Sequence, residues 1–121
     1  MSQHILAVDD SPSMREMVRL ALTSAGFRVT QAADGREALE LARKDQFDLV
    51  LSDVNMPEMN GIDLIRALRA EASYRYTPIL MLTTESSAER KREGKEAGAT
   101  GWIVKPFDPA QLVATMQKVL K

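Results

Sequence analysis

Five residues of this sequence are of types and at spacings that could do chemistry together: the adjacent pair Asp9-Asp10, then Asp53, Thr83 and Lys105. Each follows a short apolar run: Ile5-Leu6-Ala7-Val8 precedes the acid pair, and Leu49-Val50-Leu51 leads through Ser52 to Asp53. Ile79-Leu80-Met81-Leu82 precedes Thr83, and Trp102-Ile103-Val104 precedes Lys105. Carboxylates held close together repel, and either a proton or a divalent cation must relieve that repulsion. Oxygen ligands without His or Cys favour a hard cation, and a shallow site with room for waters favours Mg²⁺. Lys105 adds a point positive charge and Thr83 a hydroxyl donor, both of use to a bound phosphoryl group. Taken singly, each residue has a plain structural reading: the acid pair caps a helix, Thr83 ends a strand and Lys105 is a solvated loop residue. Helix capping, however, calls for neither two adjacent acids, nor a third acid two strands away, nor a lysine before a proline.

For these residues to meet, the apolar runs must be parallel strands with their carboxyl ends on one rim, which is where open α/β sheets place ligands. The run at Leu49 to Leu51 is continuously apolar and bounded by turn residues, as a strand covered on both faces requires. Pro57 and Gly61 then punctuate a loop and a new helix. Between the strands the sequence predicts helices. Ser11 and Pro12 open the first as N-cap and N1, Met14, Met17, Val18, Ala21 and Ala25 form its inner stripe, and Gly26 closes it. Phe27 to Ala32 reads as a weaker strand at a sheet edge. Gly35 starts a second helix with Ala38, Leu41 and Ala42 on one face, and a third from about Gly61 carries Ile65, Leu68 and Ala72 inward. The segment from Glu85 to Ala97 has only Ala88 and Ala97 as apolar anchors around Arg90-Lys91-Arg92, which predicts the least firmly packed helix. That basic run reads either as a solvated face or as part of a partner surface. Asp108 and Pro109 open a last helix with Leu112, Val113, Met116, Val119 and Leu120 inside. Five strands alternating with five helices predict a doubly wound parallel α/β sheet. No repeat, linker or low-complexity tract divides it, so residues 1–121 are expected to form one domain.

Composition narrows the function. The chain has 121 residues, 45% hydrophobic and 27% charged, enough for one core without staples. It has no Cys, hence no disulfide framework and no thiolate chemistry. A net charge of -1 argues against a nucleic-acid surface, which needs a clustered basic excess. The absence of a signal-like leader and of any apolar run near about 20 residues leads us to expect a cytoplasmic protein without a membrane partner.

Asp9-Asp10, Asp53 with Met56-Pro57-Glu58-Met59-Asn60-Gly61, Thr83, and Lys105-Pro106-Phe107 together resemble the receiver domain of two-component response regulators, over the full length of the chain. Within that family the sequence is most similar to the CheY-like stand-alone chemotaxis receivers. The resemblance implies a flavodoxin-like sheet of strand order 2-1-3-4-5, with Asp53 as the phosphoacceptor of a histidine kinase (CheA-like). It implies Mg²⁺ held by Asp10, Asp53 and the backbone carbonyl of Asn55, with Asp9 acting through water. It further implies that Lys105 pairs with the phosphoryl group, that Thr83 and Trp102 form the switch, and that the Lys105-Pro106 bond is cis. Asn55 and Glu85 stand where the family tunes dephosphorylation, and there they look like the chemotaxis pair, so a short-lived phosphoryl group is expected. Two departures stand out: Thr84 replaces a smaller Ala or Gly, and Trp102 is bulkier than the usual Tyr or Phe.

The resemblance implies a signalling phosphoacceptor rather than an enzyme on external substrates, monomeric, with a flagellar motor switch or other output protein as partner and a phosphatase as a further one. A relay intermediate or phosphate sink, exchanging phosphoryl with a histidine phosphotransfer protein, is the alternative within the family. A small Mg²⁺-dependent phosphohydrolase is the alternative outside it. Against that, Asn55 stands where haloacid-dehalogenase-like enzymes carry a second Asp. A flavin-binding protein is opposed by the acidic rim, which would repel the flavin phosphate.

Overall fold

The computed structural model describes residues 3–54, 56, 59–84, 88–105 and 107–120, and of Arg90 only the backbone. In chain order the elements are β1 (His4–Val8), α1 (Pro12–Ser24), β2 (Arg28–Ala32), α2 (Gly35–Lys44), β3 (Leu49–Asp53) and α3 (Gly61–Arg69). A single 3₁₀ turn at Ala72–Tyr74 leads to β4 (Ile79–Thr83), α4 (Ala88–Ala97), β5 (Gly101–Val104) and α5 (Pro109–Val119). The sheet has the order β2-β1-β3-β4-β5 and every pairing is parallel. This is the doubly wound sheet that the alternation of strands and helices predicts, in the flavodoxin-like order that the family resemblance implies, with Arg28–Ala32 at one edge.

Alternation along the strands divides the core in two. Leu6, Val8, Val50, Ile79 and Met81 face Ala38 and Ala42 of α2, Ile65 and Leu68 of α3 and Ala97 of α4. Ile5, Ala7, Leu49, Leu51, Leu80, Leu82 and Ile103 face Val18 and Leu22 of α1 and Leu112 and Met116 of α5. Helices therefore cover both faces of the sheet, and β3, buried at every position, runs through the middle. A strand so placed has no solvent side, which is why its sequence is a continuous apolar run rather than an alternating one.

Local chemistry sets the helix starts. Ser11, Asp34, Asn60 and Asp108 are N-caps whose side chains accept from Met14, Glu37, Asp63 and Gln111 backbone N–H groups. At α2 Glu37 also reaches back past the cap, its Oε1 accepting the Ala33 N–H at 2.7 Å.

Three expectations about packing need correction. Ala25 is exposed and caps the end of α1, and Leu22, fully buried, takes the inner place instead. Ala72 is exposed because α3 stops at Arg69, and the 3₁₀ turn that follows sends Tyr74 inward. Ala88 is exposed as well: α4 is seated by Gly94, against Met81 Sδ, and by Ala97. The cis reading of Lys105-Pro106 falls on Pro106, outside the described residues.

Candidate functional site

Because the strands are parallel, the polar residues at their carboxyl ends arrive on one edge. Asp9 continues β1 by donating its N–H to Ala32 O at 3.1 Å. Its Oδ1 accepts the Ser11 N–H at 2.9 Å, where the chain turns into α1. Arg15, one turn into that helix, donates from Nη1 to the Asp9 carbonyl at 2.7 Å. Asp53 ends β3, and its Oδ1 accepts the Val54 N–H at 2.9 Å. The loop behind it closes through Gly61, whose N–H reaches Val54 O at 2.9 Å. A Cβ at Gly61 would collide with the Asp53 carbonyl oxygen, so only glycine permits this approach.

Lys105 joins these strands. Its backbone N–H donates to Thr83 O at 2.8 Å, and its Nζ lies 3.1 Å from Asp9 Oδ2 and 3.3 Å from Asp53 Oδ1. Asp9 is only 2% exposed and Asp53 8%, whereas Asp10 is exposed. Two buried carboxylates thus share one ammonium, a third means of relieving their repulsion besides the proton and the cation considered above. Burial pushes the Asp53 carboxyl above the usual carboxylate range, the charge of Asp9 adds to that, and Lys105 with the Val54 N–H pulls it part of the way back.

Carboxylate oxygens of Asp9, Asp10 and Asp53 all lie within 4.8 Å of one another. An all-oxygen set at this spacing fits a hard cation, and exposed Asp10 leaves one side open for waters, as Mg²⁺ prefers. Thr83 is buried at the end of β4, in register with Val104, and Thr84 beyond it is exposed. Trp102 is half-buried on β5, packed against the cluster that includes Met81 and Ala97. Lys91 of α4 holds its Nζ 5.6 Å from the centre of the Trp102 ring. Asn55 and Glu85 lie outside the described residues.

The structure therefore brings Asp9, Asp10, Asp53 and Lys105 into contact range and places Thr83 on the same edge. Gly61, part of the motif quoted after Asp53, closes the loop behind it. Arg15 and Val54 also support the site and were not singled out from the sequence, since their roles arise from backbone contacts that residue types do not announce.

Comparison with known proteins gives a consistent result. The sequence profile of the response regulator receiver domain matches residues 5–117. The chain is 43% identical to the chemotaxis protein CheY-3 of Vibrio cholerae over 97% of this chain and 91% of that protein. It is 42% identical to the DNA-binding response regulator MtrA of Mycolicibacterium smegmatis, over 100% of this chain but 52% of that regulator. Among solved structures, the chemotaxis response regulator CheY4 of Vibrio cholerae superposes with a TM-score of 0.96 at 56% identity, covering 99% of this chain and 100% of that one. The receiver domain of the sensor histidine kinase PA1611 of Pseudomonas aeruginosa, with a magnesium ion coordinated in its active-site cleft, superposes with a TM-score of 0.92 at 32% identity, covering 99% and 98%.

Proposed function

The chain belongs to the response regulator receiver family, and from that membership we propose that it is a phosphoacceptor switch that takes a phosphoryl group on Asp53 from a histidine kinase. The observation that carries this reading is the placement of one buried carboxylate, Asp53, within reach of both an ammonium and two further carboxylates. One Asp53 oxygen attacks the phosphorus of a phosphohistidine, and the P–N bond breaks as the P–O bond forms. The imidazole leaves with the electron pair. Asp9, Asp10 and Asp53 would hold Mg²⁺, with the Asn55 carbonyl as a further ligand by family resemblance, and the bound ion supplies positive charge against the phosphoryl oxygens. Lys105 supplies the same sign from the protein side. Before transfer its ammonium is shared by Asp9 and Asp53, and after transfer the phosphoryl oxygens become its partner with little movement of the chain.

Output follows as a population shift. Thr83 donates its hydroxyl to the phosphoryl group, and Trp102 moves toward the space that the threonine gives up. The Thr83 carbonyl already holds the Lys105 N–H, so the two residues that meet the phosphoryl group are tied through the backbone. Similarity to chemotaxis proteins over nearly their whole length supports an output through a separate protein, such as a flagellar motor switch component, in the cytoplasm. The equal likeness to half of a DNA-binding regulator favours a second reading, in which the same switch acts on an attached output domain.

A time course of phospho-Asp53 after acetyl phosphate is removed tests the role. Loss within seconds to minutes is the result expected of a behavioural switch. Persistence over hours would move the assignment to a relay intermediate and implicate Thr84 beside the switch threonine.

A further inference from the structure

We propose that Lys91 is a latch on Trp102, setting how readily the receiver enters its signalling state. The inference rests on the phosphoacceptor reading above and adds to it a residue outside the reacting group. Trp102 stands on β5 beside Met81 of β4, half-buried against a cluster that includes Ala97 of α4. It is not free on its outer side: the Lys91 ammonium, 5.6 Å from the ring centre, lies within the range at which a cation is held by the π-face of an indole. Indole is the strongest of the aromatic partners for a cation, so the contact has more hold on this ring than on a phenol or phenyl at the same position.

Geometry explains why Lys91 acts here and Arg92 does not. Arg92, next to it, is exposed, while Lys91 is half-buried on the side of α4 that turns toward β5. The helix itself is weakly seated, with Ala88 and Glu89 exposed and Gly94 and Ala97 its buried positions among those described. A single favourable contact near its middle therefore bears on where the helix lies. Moving Trp102 toward Thr83 while α4 keeps its seat at Gly94 and Ala97 breaks the contact with Lys91. The contact therefore favours the present arrangement, and its loss favours the other. For a partly exposed cation and ring the effect on the equilibrium is about twofold to fivefold.

Trp102 is the sole tryptophan of the chain, so its emission reports this contact without a label. The experiment is a titration of the wild type, Lys91→Met and Lys91→Arg with beryllium fluoride in the presence of Mg²⁺, followed by tryptophan fluorescence. Methionine keeps an unbranched, helix-favouring stem and removes the charge, and arginine restores a cation. We expect Lys91→Met to show altered emission before any addition and half-saturation at a concentration about twofold to fivefold lower, with Lys91→Arg matching the wild type. If the wild type responds and Lys91→Met responds at the same concentrations, the latch is overturned while the receiver reading stands. If the wild type does not respond at all, the phosphoacceptor reading fails and the latch fails with it.

Discussion

At Asp53 the needs of chemistry and of folding oppose each other. The attacking form is the carboxylate, yet burial first, and the charge of Asp9 second, favour the protonated form, with Lys105 only partly offsetting them. The rate of labelling by acetyl phosphate should therefore fall as pH drops through this raised pKa, and the fall should begin at a higher pH than for an exposed aspartate. The consequence for stability has the reverse sign from that of an acid whose ion pair outweighs its burial. The folded protein binds this proton more tightly than the unfolded chain does, so the charge on Asp53 costs stability above the folded pKa and costs nothing below the unfolded value. Asp53→Asn, melted at neutral pH without divalent metal, should be more stable by about 1 kcal/mol, or roughly 4 °C. The gain should shrink as pH falls through that window, and a variant melting below the wild type at neutral pH would contradict the description of the site. A second buried polar group serves the fold alone. Tyr74 donates its hydroxyl toward Ala42 O at 2.8 Å and Asp45 O at 2.6 Å, and it accepts the Phe47 N–H at 3.3 Å. Tyr74→Phe removes the interior partner of the Phe47 N–H and the Ala42 carbonyl, and urea denaturation should show a loss of about 1–3 kcal/mol.

Among the elements, α4 differs from the rest. Among the described residues its buried positions lie in its second half, and its end is clamped by Arg69, which donates to Gly98 O at 3.0 and 2.8 Å and to Tyr74 O and Thr77 O at 2.7 Å each. In the first turn Ala88 and Glu89 are exposed, and Lys91 rests over Trp102. Hydrogen exchange should therefore be faster at residues 88–91 than at the amides of β3, and equal protection of the two would count against a movable α4. How much of this the sequence discloses depends on the kind of contact. The weak seating of α4 is legible, because so few of its residues are apolar. Its true anchors are not, since a glycine resting on Met81 has no hydrophobic signature. Tyr74 is hidden for a similar reason: it sits among Glu71, Ser73 and Arg75, and only the 3₁₀ turn after α3 sends it inward. Helical periodicity carried on to Ala72 misses the point where the helix stops.

Across the whole molecule the site is more legible than the packing. A parallel sheet gathers the carboxyl ends of its strands, so polar residues that close apolar runs identify the rim before any contact is known. That is how Asp9, Asp10, Asp53, Thr83 and Lys105, spread over nearly a hundred residues, could be grouped from residue type and position. What such grouping does not supply is the partnership within the rim. The sharing of Lys105 between Asp9 and Asp53, and the seating of Lys91 over Trp102, depend on side-chain geometry between separate elements. The central claim is that this rim exists to phosphorylate Asp53. It is tested most directly by treating the protein and its Asp53→Asn variant with acetyl phosphate and Mg²⁺ and reading the intact mass. The wild type is expected to gain one phosphoryl group, lost when Mg²⁺ is withheld, and the variant none. Equal labelling of the two, or none in the wild type, would contradict the account.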